Sequence, residues 1–238
     1  MKVLAANVGS TSLKFKLFEM PEETALCEAK IERVGSRDKA IFAYGSLVTG
    51  KHYRLEGQCI PDYTTGIRMF LDALVSGEYG VIKSAGEIDR IGFKTVLSKG
   101  FYGVHELTDE VMDGMRQYLF IAPVHNAAYL EAIGQFNSLL PDVPKIGAFE
   151  TAFHTTIPTE RRIYGVPYEW YEKYGLMRMG YHGASHSYIA LESHNYGKAG
   201  RVTSCHLGGS CSVCAIQDGR SVDTSFGFSL QSGLIHAN

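Results

Sequence analysis

The chain has 238 residues, 45% of them hydrophobic and 20% charged, with a net charge of −2. This is the composition of an ordinary globular protein, long enough for one large domain or two modest ones. The balance of charge offers no basic footprint for nucleic acid, and no stretch approaches the roughly 20 apolar residues that a membrane helix needs.

The opening MKVLAANVGS lacks the apolar core and cleavage site of a secretory signal. Residues 2–7 read as a short buried strand and Val8 to Thr11 as a turn. From Ser12 the chain alternates, with Leu13, Phe15 and Leu17 on one face and Ser12, Lys14 and Lys16 on the other. This is a hairpin pattern, and its turn gathers Asn7, Ser10, Ser12 and Lys14. Hydroxyls, turn amides and an ammonium can together hold a phosphate or a hydrated cation. The same residues also suit an ordinary polar turn, because the GxxxxGK[ST] phosphate loop is not present.

Further strands are expected over 27–34 and 40–57, with turns at Gly35-Ser36, Gly45-Ser46 and Gly50-Lys51. Asp62 or Thr64 is placed to cap a helix carrying Ile67, Phe70, Leu71 and Leu74 at helical spacing and ending at Ser76-Gly77. A strand over 88–96 leads to a Ser-Lys-Gly loop. Thr108 suits an N-cap for a helix reaching Phe120, with Asp109 and Glu110 in its first turn. Pro123 opens a second helix ending near Pro141. The run Ile146–Phe149 then reads as a strand that delivers Glu150 to its C-terminal end, with Thr151, His154 and, after an aromatic-rich excursion, His182 following. Strand ends that present a carboxylate to a crevice are where open α/β sheets place ligands, so Glu150 and His182 are read as facing a phosphoryl-transfer site.

A helix follows from His186, with Ser185 as its expected N-cap and Gly197 as its stop. His182 and His186 are four apart, the spacing of one helical face, but no third metal ligand is evident. Residues 201–207 read as a strand entering the turn Gly208-Gly209-Ser210, and a second hairpin turns at Asp218-Gly219. That glycine turn is another place where backbone amides can approach a phosphate. Five cysteines at scattered positions, Cys27, Cys59, Cys205, Cys211 and Cys214, do not read as a disulfide framework, and a cytoplasmic setting is expected. Cys211 and Cys214 form a CxxC, but three apart on a strand they point to opposite faces, which favours a structural role. The layout of antiparallel strands followed by alternating helices and strands predicts an α/β fold of mixed sheets flanked by helices, with a domain boundary near residue 150.

Seven motifs in order carry a family resemblance: NVGSTSLK at 7–14, APVHN at 122–126, ETAFH at 150–154, VPYEWYEKYG at 166–175, GYHGASH at 180–186, HLGG at 206–209 and GRSVDTSFGF at 219–228. Over nearly its whole length the chain resembles acetate kinase. The resemblance implies an actin-like (ribonuclease H-like) domain over 1–150 and the first part of a second one over 151–238, built around a nucleotide cleft. It implies ATP- and Mg²⁺-dependent transfer of a phosphoryl group to a short carboxylate such as acetate. By similarity Asn7 is a Mg²⁺-site residue, and Lys14, with Ser10 and Ser12 in the same motif, an ATP contact. Glu150 stands at the catalytic acidic position, His182 is a transition-state stabiliser, and His206, Leu207, Gly208, Gly209 and Ser210 form the phosphate loop. Lys94 takes the substrate-binding position, with Val96, Ala122, Val124 and Tyr181 near a methyl pocket. A short aliphatic acid, with a pKa about that of a Glu side chain, is already ionised at neutral pH, so the site needs no general base. It must bring two anions together and neutralise charge on the transferring group.

The sequence departs from the family pattern at defined places. Glu150 replaces the Asp of FDTAFH, and a misplacement of about 1 Å at such a site can cost about 100-fold. Lys94 in FKTVLSKG stands where the family has Arg, which keeps the charge but loses the bidentate fork. Leu97, Ser98 and Lys99 replace the His and two Gly of the same motif, Gly209 replaces the Asn of HLGNG, and Leu230 replaces a pocket Pro. Family sequences continue well past the GFxxxxGL pattern, beginning with a second catalytic Arg, whereas GFSLQSGLIHAN closes this sequence at Asn238. The resemblance thus puts the adenosine-binding segment, a second Mg²⁺ carboxylate and most of the second core outside the sequence. This chain by itself is then expected to bind ATP poorly, and uncovered apolar faces would call for a homodimer or a covering partner. Two other readings stay open: a non-catalytic relative that binds a nucleotide or a protein partner, and a superfamily kinase for a bulkier acid.

Overall fold

The computed structural model describes residues 1–197, 200–229 and 231–235. The alternation that begins at Ser12 folds as a hairpin of β1 (Lys2–Gly9) and β2 (Ser12–Glu19), with Asn7 opposite Lys14 and Gly9 opposite Ser12. Strand β1 therefore runs through Val8 and Gly9, leaving Ser10 and Thr11 as the turn. β3 (Thr24–Glu32), β4 (Ser36–Ser46) and β5 (His52–Ile60) extend the antiparallel sheet outward. The turn expected at Gly45-Ser46 does not form, because Gly45 is paired with Glu28 on one side and His52 on the other.

On the other side of β1 the connections become crossovers, which parallel strands require. α1 (Tyr63–Val75) leads to β6 (Arg90–Thr95), parallel to β1. α2 (Asp109–Gln117) and α3 (Pro123–Leu139) lead to β8 (Lys145–Phe149), parallel to β6. The caps behave as expected, Asp62 accepting from the Thr65 amide and Thr108 from the Val111 amide, while α2 ends three residues before Phe120 because Tyr118 leaves the helical conformation. β7 (Gly103–Glu106), an edge strand antiparallel to β8, had no alternating signal to announce it: its Val104 is exposed. The mixed eight-stranded sheet has the order β5-β4-β3-β2-β1-β6-β8-β7.

One face of this sheet, with Leu4, Leu13, Phe15 and Phe93, is buried beneath the helices. Phe15 stacks on Phe70 of α1 at 4.4 Å, and Phe136 of α3 meets both Phe15 and Phe93 edge-on. The opposite face carries Asn7, Lys14 and Lys94 along a depression of 770 Å³.

All eight strands of that sheet precede Glu150. A 3₁₀ segment over Glu150–Thr156, α4 (Thr159–Arg162) and α5 (Tyr168–Tyr174) follow where only an aromatic excursion was expected. α6 (Gly183–Gly197) begins earlier than its predicted cap, so Ser185 lies inside the helix. β9 (Arg201–Leu207), β10 (Cys211–Gln217) and β11 (Arg220–Thr224) form a second, antiparallel sheet in the order β11-β10-β9. Within β10 the two cysteines do diverge: Cys214 is buried beside Ser221, and the Cys211 thiol reaches the Gly208 carbonyl. Among the described residues no helix is long and apolar enough to cross a membrane. Leu230 lies outside the described residues.

Candidate functional site

The site starts from strand geometry. β1, β6 and β8 run parallel, so their C-terminal ends open at one edge of the sheet. Side chains alternate across a pleated sheet, so Ala5 and Asn7 of β1 share a face with Gly92 and Lys94 of β6, and Lys94 pairs across to Ala148 of β8. Lys14, opposite Asn7 on β2, completes the row. One step past β8 is Glu150, whose carboxylate is 6% exposed and lies 3.1 Å from the Lys94 ammonium, itself 45% exposed. Glu150 follows the end of a strand, as the order of Phe149 and Glu150 indicates, and the structure adds a half-open cation over the buried carboxylate.

Three more side chains sense that carboxylate. Burial, then the Glu150 charge, raises the Tyr129 phenol, and the same causes in the same order raise Tyr181. Loss of solvent, then the Lys94 ammonium, holds the His125 imidazole below its ordinary range, with Glu150 acting the other way. His125 and Tyr129 are four apart on α3, the spacing of one helical face. The motif APVHN contained His125, but its role needed the helix register to be seen. Nearby, Asn126 donates to the carbonyls of Leu97 and Met115, tying the loop after β6 to α2. That loop is itself built into the core: Leu97 is buried and the Ser98 hydroxyl donates to the Val111 carbonyl. The hydroxyls of Thr95 and Thr151 are buried without a partner among the described residues.

The second half reaches Glu150 through glycine. A Cβ at Gly183 would collide with the Glu150 carbonyl, and one at Gly180 with the His154 ring. Gly180 also has φ +70°, and His182 between them is left-handed at φ +60°, a conformation unusual outside glycine and often found at functional sites. This tight GYHG turn sets His182 beside the end of β8. His182 Nδ1 lies 2.9 Å from Ser212 Oγ, and its ring stacks on His206 at 3.9 Å and 21°. His206 Nδ1 is 3.0 Å from Ser185 Oγ. His154 is enclosed between Ser221 and the Tyr181 carbonyl, and burial, then His186, takes its pKa down to about 4.

The structure therefore brings together Asn7, Lys14, Lys94 and Glu150 in one row, and His182 with His206 in one stack. Ser10 and Ser12 sit at the hairpin turn, whose Gly9 and Ser10 carbonyls receive the Tyr63 hydroxyl. Leu207 is exposed, Gly208 closes a turn through its amide to the Ser210 carbonyl, and open space surrounds Gly209. Of the expected methyl-pocket residues, Val96, Ala122 and Tyr181 are buried and Val124 is exposed. Among the described residues no group of three or more His, Cys, Asp or Glu converges as a metal cage.

Comparison with known proteins agrees with the motif reading. A family profile described as the acetokinase family matches residues 2–237. The chain is 42% identical to an acetate kinase of Geobacillus kaustophilus over 238 residues, covering 98% of this chain and 59% of that one. It is 40% identical to an acetate kinase of Bacillus subtilis, with the same shares. Among solved structures, Porphyromonas gingivalis acetate kinase superposes with a TM-score of 0.85 at 33% identity, and a Francisella tularensis propionate kinase with 0.87 at 27%. Each structural match covers 98% of this chain and 59% of the other.

Proposed function

The chain belongs to the acetokinase family, and from that membership we propose that it supplies residues to an ATP-dependent carboxylate kinase, transferring the γ-phosphoryl group of ATP to a short acid such as acetate. The observation that carries this reading is the buried Glu150 carboxylate beneath Lys94 at the open end of three parallel strands, with the GYHG turn packed onto it. Lys94 would attract the acid's carboxylate, and Lys14 the nucleotide phosphates. His182 would donate to the oxygens of the transferring group, where charge develops. The turn amides of Gly208, Gly209 and Ser210 would cradle a phosphate. Val96, Ala122 and Tyr181 would bound the acyl group, with Val124 at its outer edge. Residue 150 would mark the junction between the two domains.

The donor set fits Mg²⁺, which favours hard oxygen ligands and is commonly held by one or two carboxylates together with substrate phosphates. The Asn7 amide oxygen and the Glu150 carboxylate would hold it, and the bound ion would neutralise phosphate charge. The second sheet leaves β9 as an open edge with Leu207 and, on α6, Leu191 exposed. A homodimer or partner contact would cover that surface.

The test is hydroxylamine trapping of acyl phosphate from ATP and acetate or propionate. It is run with this chain and with a chimera carrying the C-terminal segment of the Geobacillus kaustophilus relative. The chimera is expected to form acyl phosphate, to lose it with His182→Ala, and to gain with Lys94→Arg. A folded chimera inactive with every short acid, with or without Lys94→Arg, refutes the reading.

A further inference from the structure

His182 is held by more than one partner. Its Nδ1 lies 2.9 Å from Ser212 Oγ, and the same hydroxyl lies 2.8 Å from His186 Nε2. His186 Nδ1 in turn lies 2.9 Å from Ser204 Oγ. His186, Ser204 and Ser212 are all buried. The alternation of the two strands puts Ser204 of β9 and Ser212 of β10 on the face that α6 covers, while His186 enters from the second turn of α6. The four side chains form one line: Ser204, His186, Ser212, His182.

A neutral imidazole has one donor and one acceptor nitrogen, and a hydroxyl has a single proton, so only a few proton arrangements exist. Burial, then the neighbouring His206, lowers the His186 pKa to about 4, so at neutral pH it carries one proton. If both histidines donated to Ser212, its own proton would be buried with no acceptor. If protons ran from His182 toward Ser204, the Ser204 proton would be stranded, because His186 is its only side-chain partner among the described residues. A buried donor without an acceptor is the costly kind of orphan. In the remaining arrangement Ser204 donates to His186 Nδ1, His186 Nε2 donates to Ser212, and Ser212 donates to His182 Nδ1. Every proton is then used.

We propose that Ser204, His186 and Ser212 are positioning residues that lock His182 as the Nε2–H tautomer, so that it meets its ligand as a hydrogen-bond donor. That the ligand is a phosphoryl group rests on the function proposed above; the relay does not. Glycine at 180 and 183 supports the device, since the turn must be tight enough to bring His182 back over its own helix onto Ser212.

The experiment is ¹⁵N–¹H two-bond correlation on the histidine-labelled 238-residue chain at neutral pH, with His182→Gln and His186→Gln spectra assigning the signals. Both rings are expected as Nε2–H. Ser204→Ala, which does not touch His182, should raise the His182 Nδ1–H population about tenfold, the weight of one buried hydrogen bond. Ser212→Ala should do the same directly, and Ser212→Thr should restore the native pattern. A wild-type His182 protonated on Nδ1, or a tautomer ratio indifferent to both alanine variants in folded protein, overturns the proposal. If an alanine variant does not fold, the wild-type and Ser212→Thr spectra decide. A confirmed relay in a folded chimera that forms no acyl phosphate from any short acid would sink the kinase reading and leave the relay standing.

Discussion

Removing the Lys94 ammonium should leave the Glu150 carboxylate buried without its cation. At 3.1 Å Coulomb's law gives about 5 kcal/mol at an effective dielectric of 20 and about 1 kcal/mol in bulk water. Breaking a fully buried pair costs roughly 3–5 kcal/mol, while exposed pairs are worth at most about 1 kcal/mol. Glu150 is buried and Lys94 is half-open, so Lys94→Met should cost about 2 kcal/mol. With a urea slope near 3 kcal/mol/M, the upper end of the usual range, the unfolding midpoint should fall by roughly 0.7 M. Lys94→Arg should hold within about 0.2 M, since the charge remains. In a Glu150→Gln background Lys94→Met should cost almost nothing, because no charge is then stranded. If Lys94→Met leaves the midpoint unchanged, or costs as much in the Glu150→Gln background as in the wild-type chain, the pair does not anchor this edge of the sheet.

Stability should fall as pH drops from about 6.5 toward about 4. His154 and His186 both have folded pKa values near 4, lowered first by burial, against an ordinary value of about 6.5 in the unfolded chain. The unfolded state therefore binds more protons across that window and is favoured on acidification. The histidines' share of the loss should be complete below pH 4, and between pH 6.5 and 4 urea midpoints for His154→Gln should show a flatter profile than wild type. Gly183→Ala should abolish soluble folded protein, because its Cβ would strike the Glu150 backbone, whereas Gly134→Ala in α3 meets nothing within 4 Å and should stabilise by about 0.5–1 kcal/mol. Circular-dichroism melts would compare the two. Asp62→Ala removes the side chain that accepts from both the Thr65 amide and hydroxyl at 2.7 Å, and should lower stability by about 1 kcal/mol.

Local signals were enough for much of the fold. The alternation at 12–17, the caps at Asp62 and Thr108, Pro123 at the first position of α3 and the turn at Asp218-Gly219 all act within a few residues, and the structure keeps each of them. The excursion between Thr151 and Met179 was not legible. Its 3₁₀ segment and the short α4 and α5 are too brief to show a period, and tertiary contacts decide their conformation. β7 was missed for the related reason that an edge strand gains its pairing from β8, a neighbour distant in sequence.

At the site, the sequence by itself determined which chemical groups are present and that Glu150 would follow a strand end. It also delivered, through motif order, the family to which the chain belongs. Only the tertiary structure decided that Lys94 would sit on Glu150, that His125 and Tyr129 would share its neighbourhood, and that Ser204 and Ser212 would line up behind His182. Those relations depend on the register between strands and on the face a helix turns inward. Both are set by packing across the whole sheet, and no window of neighbouring residues contains them.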